Sequence, residues 1–321
     1  MSGDKENDKA RLLSVVFSFR NEEVGLDELI VRVRSVLASQ NIAYELIFVN
    51  DDSTDRSLEI LKGYHESDKR IKIVNMSRRF GFYPCILAGI AHSQGDAVVY
   101  MATDLQDPPE LIPEMVAKFI AGADVVNTIR TKRHGESAFK MWATKKAYRI
   151  INLLADIDLP ENMGDFKLLS RRVAKELLSL REYDPYLRGI VRWLGFRQET
   201  VYYERPARFS GKTHFPLFGK APAQEFIRGI TSFSAVPLYI ALLYGFIVSL
   251  LSFLYLIFVI VTKFLGVNLP GWSALMAVTL FIGGNMLLTN GFLGLYIGRI
   301  YSQVKNRPSY LIDNTIGFDK D

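Results

Sequence analysis

The sequence predicts an α/β domain built on a parallel sheet, followed by a two-helix membrane hairpin. Three observations predict it. Short apolar runs alternate with amphipathic stretches between residues 12 and 128. Polar clusters at 20–23, 50–55 and 104–107 each directly follow an apolar run. Between Arg228 and Arg299, Lys263 is the only charged residue. The length of 321 residues suits about two structural units at roughly 150 residues each.

Taken in order, Leu12–Phe19 is an apolar, β-branched run that reads as a buried strand. Leu26, Leu29, Ile30, Val33, Val36 and Leu37 fall on one helical stripe. Tyr44–Val49 is a second strand, and Asn50–Asp55 is a turn cluster able to cap a helix at 55–66. Ile71–Val74, a helix at 83–92 and Ala97–Met101 continue the alternation. Thr103–Pro109 reads as a loop, 110–121 as a helix and Ala123–Thr128 as a fifth strand. Such alternation with short connections implies a parallel sheet covered on both faces. Ligands of such sheets bind beyond the carboxyl ends of the strands, so the three polar clusters should share one edge.

Residues 139–155 mix Trp142, Tyr148, Ile151 and Leu154 with Lys140, Lys145, Lys146 and Arg149. Residues 186–198 repeat the mixture, with Tyr186, Arg188, Arg192, Trp193, Phe196 and Arg197. Basic aromatic amphipathic stretches beside a membrane anchor suggest interfacial docking. The uncharged stretches 229–262 and 264–298 each exceed the roughly 20 apolar residues a spanning helix needs. Arg205, Arg208, Lys212, Lys220 and Arg228 precede the first, and Arg299, Lys305 and Arg307 follow the second. By the positive-inside rule both ends face the cytoplasm. Gly294 and Gly298 have small-xxx-small spacing, which favours close helix packing and a homo-oligomer.

Composition narrows the function classes. The net charge is +5 with no concentrated basic stripe, which argues against a nucleic-acid partner. A single cysteine, Cys85, and four histidines without ligand spacing exclude a disulfide framework and a cysteine-rich zinc site. Asp104-Leu-Gln-Asp-Pro-Pro109 is the most informative segment. Two acids and an amide in one turn offer hard oxygen ligands suited to Mg²⁺ or Mn²⁺.

Leu13–Glu23, Glu45–Asp55, Arg78–Gly89 and Tyr100–Glu110 stand in the order and spacing of family 2 inverting glycosyltransferases with the GT-A (Rossmann-like) fold. Gly164–Lys167, Arg208–Phe215 and a hairpin ending in Gly294–Tyr301 narrow the likeness. The chain resembles polyprenyl-phosphate glycosyltransferases of the bactoprenol glucosyltransferase and dolichol-phosphate mannose synthase group, from residue 11 to about 312.

The resemblance implies roles. Phe19, Asn21, Glu22, Asp51 and Asp104 would bind the nucleotide, with Glu22 and Asp51 on base and ribose. Asp104 and Gln106 would hold Mg²⁺ or Mn²⁺ against the diphosphate. Asp165, with Asp104, would be catalytic and face sugar and acceptor. Arg130 and a lysine from 140–146, Lys140 or Lys145, would bind the lipid phosphate. Arg208 and His214 would lie close to the phosphates. Two departures stand out: Ala102 replaces an acid common in the group, and Lys167 replaces the usual arginine.

The implied activity is transfer of one hexose from a nucleotide diphosphate sugar, UDP-glucose first, to undecaprenyl phosphate at the cytoplasmic face of the bilayer. UDP-N-acetylglucosamine, UDP-galactose and GDP-mannose are the alternative donors, and a non-catalytic membrane scaffold is the alternative class. The chain divides into a disordered tail at 1–10, a nucleotide-sugar core at 11–138 and an acceptor and interface region at 139–228. Two transmembrane helices at 229–300 and a cytoplasmic tail at 301–321 follow.

Overall fold

The computed structural model describes residues 12–40, 42–133, 162–206, 220–265 and 271–318, with Lys146, Arg149, Asn152, Leu153 and Pro160 between them. The tail at 1–10 and most of the 139–155 stretch lie outside the described residues. In chain order the sheet domain contains β1 (Leu12–Phe19), α1 (Leu26–Ala38), β2 (Ala43–Asn50), α2 (Ser57–Ser67), β3 (Ile71–Met76), α3 (Phe82–His92) and β4 (Ala97–Ala102). A 3₁₀ turn (Pro109–Leu111), α4 (Ile112–Ile120), β5 (Val125–Arg133), β6 (Met163–Ser170), α5 (Arg171–Ser179), α6 (Leu187–Trp193) and β7 (Gln198–Arg205) follow. Beyond lie α7 (Lys220–Phe233), α8 (Val236–Phe264), α9 (Trp272–Val304) and β8 (Ile312–Ile316).

The strands form one eight-stranded sheet in the order β7-β5-β6-β4-β1-β2-β3-β8. β1 pairs in parallel with β2 and β4, and β2 with β3. Odd residues of β1 (Leu13, Val15, Phe17, Phe19) face a core shared with Leu29, Val33, Leu61 and Met115 of α1, α2 and α4. Even residues face α3. A Cβ at Gly89 would sit 2.3 Å from Val16 Cγ1, so only glycine lets α3 approach that closely. Helices therefore cover both faces, as the alternation predicts.

The sheet is not wholly parallel, which corrects the sequence expectation. β6 lies between β4 and β5 and runs antiparallel to both, and β8 runs antiparallel to β3. Periodicity misses β6 because Asp165 and Lys167 interrupt its apolar pattern, yet Lys167 is fully buried there. β5 runs to Arg133, past the expected end at Thr128, because β7 pairs with its outer edge. The stretch expected to be a cytoplasmic tail at 301–321 supplies β8. Phe318 after it packs edge-on to His92 at 5.4 Å and lies under Lys72 Nζ at 5.2 Å.

Residues 308–318 thus belong to the sheet domain, whereas 230–307 form a second compact unit. α8 and α9 are long and apolar enough to cross a membrane, with mean hydropathy of 2.5 and 1.4. Tyr244 Oη donates to Asn285 Oδ1 at 2.8 Å between them. Arg299 donates to Thr231 Oγ1 and Ser232 Oγ at 2.8 and 2.6 Å, which satisfies a charge close to the end of α9.

Candidate active site

The three polar clusters do meet at one edge, because β2, β1 and β4 are neighbours in register there. Phe19 pairs with Asn50, and Ser18 with both Val49 and Ala102. The turns after β1 and β2 are stitched together. Asn21 N donates to Ser53 Oγ at 3.2 Å, and Thr54 N donates to Asn21 Oδ1 at 2.8 Å. Glu22 N donates to Ser57 Oγ at 3.0 Å, and Glu23 N to Asp55 Oδ2 at 3.1 Å. Asn21 and Asp52 hold φ of 55° and 59°, a left-handed geometry asparagine and aspartate tolerate better than most residues.

Asp51 is buried at the end of β2. Its carboxylate accepts from Phe80 N at 2.6 Å and Gly81 N at 3.0 Å. It therefore anchors the loop leading into α3 as well as lying beside the 50–55 turn. The Phe19 ring points into the core against Phe48 and is 2% exposed, so this residue offers a nucleotide only its backbone. Phe19 O already accepts from Asp51 N at 3.0 Å.

After β4, Leu105 adopts φ 57° and is buried, and the two acids on either side of it differ in burial. Asp107 is 1% exposed and bound by Tyr203 Oη at 2.5 Å and Arg130 Nη2 at 3.5 Å. Arg130 Nε also donates to Tyr203 Oη at 3.0 Å. Burial opposes the Arg130 charge, but Asp107 and Tyr203 together outweigh it and raise the guanidinium above its ordinary value. Burial and Asp107 together push the Tyr203 phenol up. Arg130, expected on the lipid phosphate, is thus a buried member of this triad.

Asp104 and Gln106 remain as partly buried oxygen donors on the same turn, with Gln106 N donating to Asp104 Oδ1 at 3.2 Å. Among the described residues no three His, Cys, Asp or Glu side chains cluster to hold an ion by themselves. One carboxylate and one amide fit a Mg²⁺ or Mn²⁺ that completes its shell with phosphate and water. Arg205 stands near this turn. Its Nε is buried without a hydrogen-bond partner, and burial followed by Arg130 repulsion lowers its pKa.

Asp165 lies on β6, one residue after Gly164. A Cβ at Gly164 would lie 2.7 Å from Thr128 Oγ1 and 3.5 Å from Arg130 Nη2, so the strand passes directly against the Arg130 triad. Arg188 grips Asp165 with two hydrogen bonds, Nε to Oδ1 at 2.6 Å and Nη2 to Oδ2. Tyr83 Oη adds a third at 3.4 Å. Burial alone would raise this carboxyl. Arg188, then Arg130 and Lys167, reverse the effect and hold it below the usual carboxylate range. Behind it Lys167 Nζ donates to Asn127 Oδ1 at 2.6 Å. Burial pushes this ammonium down to about 7, against the pull of Asp165 and with repulsion from Arg188, Arg192 and Arg130. The Tyr100 hydroxyl, buried and without a hydrogen-bond partner, is raised by burial and then by Asp165.

Sequence reasoning missed Arg188 and Lys167 as basic groups that hold Asp165 ionised. Arg188, expected among interfacial arginines, turns inward to Asp165, on the side of α6 where Val191, three residues on, is buried. Trp193 on the same helix is 59% exposed. The apolar residues around Arg188 on the same helix, Leu187, Ile190 and Val191, were the available signal. Lys140, Lys145, Arg208 and His214 lie outside the described residues.

Comparison with known proteins places the chain. Residues 14–178 match the family model for glycosyl transferase family 2. The chain belongs to that family. The glycosyltransferase YkcC of Bacillus subtilis is 42% identical over 95% of this chain and 94% of its own. The bactoprenol glucosyl transferase of Shigella phage SfII is 36% identical over 94% of this chain and 97% of its own. Among solved structures, glucosyl-3-phosphoglycerate synthase from Mycobacterium tuberculosis with phosphoglyceric acid aligns with TM-score 0.47 and 18% identity, over 69% and 79% of the two chains. This family 2 member is a glycosyltransferase, and its mixed α/β sheet is of the GT-A kind that the resemblance implies.

Proposed function

We propose that this glycosyltransferase moves a single hexose from UDP-glucose to undecaprenyl phosphate at the cytoplasmic face of the membrane, with inversion at the anomeric carbon. The observation that carries the reading is the near-complete overlap with a bactoprenol glucosyl transferase, which extends through the apolar helices. α8 and α9 anchor the chain in the bilayer, both ends cytoplasmic, and the glycine spacing of α9 supports a homo-oligomer.

The residues suit the chemistry. The 20–23 and 50–55 turns receive the nucleotide, with Asn21, Glu22 and Asp51 at the base and ribose. Asp104 and Gln106 would hold Mg²⁺ or Mn²⁺, which supplies charge neutralisation to the departing diphosphate. An acceptor phosphate oxygen forms the new bond to the anomeric carbon while the bond to the UDP oxygen breaks. The electron pair leaves with UDP, and an α-linked donor gives a β-linked product. The acceptor is ionised near neutral pH, so no proton must be removed. Asp165, held ionised by Arg188, serves as a fixed negative charge beside the sugar, where positive character develops. Arg205 and Arg208 would supply cations for the phosphates, with His214 and Lys140 or Lys145 as further candidates to bind the lipid phosphate.

The test is a donor screen with purified full-length protein, undecaprenyl phosphate, Mg²⁺ or Mn²⁺ and a panel of UDP and GDP sugars, read by mass. Metal-dependent product from UDP-glucose, abolished by EDTA and by Asp104→Ala, is the expected result. Product from another donor alone would replace the sugar. No product from any donor, in a folded preparation that binds nucleotide, would favour a scaffold and sink the proposal.

A further inference from the structure

The row of residues that closes the sheet at its carboxyl edge contains three asparagines, one on each of β2, β3 and β8. Asn50 pairs with Asn75, and Asn75 with Asn314, in the strand register. Their side chains are joined end to end. Asn75 Nδ2 donates to Asn314 Oδ1 at 2.8 Å, and Asn50 Nδ2 donates to Asn75 Oδ1 at 3.0 Å. Asn50 Oδ1 then accepts from Ser53 N at 2.9 Å. Ser53 Oγ in turn receives Asn21 N.

The direction of this chain is fixed at one end. A backbone N–H can only donate, so the Asn50 oxygen must face Ser53 and its amide nitrogen must face Asn75. Asn75 must then turn its oxygen to Asn50 and its nitrogen to Asn314. Asn50 and Asn75 are buried at 5% and 6% exposure, so neither can replace a lost partner freely with water. Asn314 is exposed but held, since β8 is docked by backbone pairing, by Ser77 N to Leu311 O at 3.0 Å, and by Phe318.

We propose that Asn314, Asn75 and Asn50 are positioning residues that let the strand following the apolar helices set the 50–55 turn for donor binding. The inference rests on the reading of that turn as part of the nucleotide site. It explains why a five-residue strand at the far C-terminal end of the chain joins this sheet edge in this register.

The test uses the full-length protein in nanodiscs. Asn314→Leu removes the acceptor, and Asn314→Asp, made together with Asp313→Asn because Asn314 Nδ2 donates to Asp313 Oδ2 at 2.5 Å, restores one, while Thr315→Ala alters the same strand outside the asparagine row. UDP with Mn²⁺ is the binding probe, and donor KM and kcat are measured separately. Hydrogen exchange of a peptide covering 50–57 reads the turn without any ligand. Asn314→Leu should raise the UDP Kd and donor KM together by about fivefold, the effect of one hydrogen bond of ordinary strength, with kcat within twofold. Exchange at 50–57 should quicken while 43–49 is unchanged. Asn314→Asp/Asp313→Asn and Thr315→Ala should stay within twofold of the parent protein. Asn75→Leu should give the same signature, larger. An Asn314→Leu protein that binds UDP as tightly as the parent, or that loses kcat at unchanged KM, overturns the relay. Equal losses in Asn314→Leu and Asn314→Asp/Asp313→Asn overturn it too, since strand docking alone would then account for the effect. Parent protein that binds neither UDP nor GDP refutes the donor-site reading itself, and the proposal with it.

Discussion

Replacing Arg188 with methionine keeps the aliphatic stem but removes the fork that grips Asp165. Both side chains are about four-fifths buried, at 20% and 19% exposure. Removing one partner of a buried ion pair costs about 3–5 kcal/mol, because the other charge is stranded. Asp165 keeps Tyr83 and the field of Arg130 and Lys167, so the lower figure, about 3 kcal/mol, applies. At about 1.4 kcal/mol per pH unit, that moves the acid limb of the rate–pH profile up by about two pH units. Stability follows the same carboxyl. In the parent its pKa is lowered, so its contribution is complete above the ordinary carboxylate range and is lost as pH falls through the native value. In Arg188→Met burial dominates, the pKa rises, and the penalty present at neutral pH is relieved on acidification. Unfolding free energies of parent and variant in detergent should therefore differ by about 3 kcal/mol at pH 7.5, and the gap should narrow as pH falls into and below the ordinary carboxylate range. Arg188→Met/Asp165→Asn should recover most of the stability and none of the activity. A stability gap that is independent of pH, or an unmoved acid limb, would refute the assignment of Arg188 as the group that keeps Asp165 ionised.

Lys167→Met tests the depressed ammonium. The native group releases its proton near 7 whereas the unfolded lysine holds it to about 10.4, so the parent gains stability as pH rises through that window. Relative to the variant the gain should reach at most about 1.4 kcal/mol per pH unit between pH 7 and 9, and parallel curves would refute it. Tyr203→Phe strips Asp107 of its short hydrogen bond and Arg130 of an acceptor. A loss of about 1–3 kcal/mol in unfolding free energy is expected, with no change in the far-ultraviolet spectrum. Gly89→Ala drives a methyl into Val16 and should cost about 1–3 kcal/mol by denaturant titration.

The sheet's parallel half was legible because its strands are buried on both faces and are predominantly apolar, as Val15–Phe17 and Leu46–Val49 are. The other half was not, for a reason that bears on function. β6 holds Asp165 and Lys167 on one side and Phe166 and Leu168 on the other. A strand that carries buried charge breaks the very pattern by which strands are recognised. β8 was illegible for the opposite reason: Ile312-Asp-Asn-Thr-Ile316 is short, polar and stable only as an edge on β3. The polar turns after β1, β2 and β4 could be placed from sequence because their position needs only the parallel strands.

What sequence could not give was the division of labour among the acids. Asp104 and Asp107 are three residues apart and equivalent as letters, yet across the left-handed Leu105 one is partly buried and accepts from Gln106 N while the other is in a buried triad with Arg130 and Tyr203. Asp107 is thereby spent on structure: it neutralises an arginine that burial would otherwise make costly, and it fixes β7 beside β5. Asp165 is treated differently again, with a bidentate arginine from α6 and a lysine on its own strand. Three carboxylates within one motif-rich region thus receive three environments, set by backbone geometry and by basic residues far away in sequence. The departure at Lys167 fits this logic. An arginine there would stay charged at any pH, whereas a lysine near its own midpoint lets the positive field behind Asp165 weaken as pH rises. Lys167→Arg should therefore flatten the alkaline side of the rate–pH profile while leaving the acid limb in place. An alkaline limb unchanged by that substitution would show that Lys167 is only a packing residue with a satisfied hydrogen bond to Asn127.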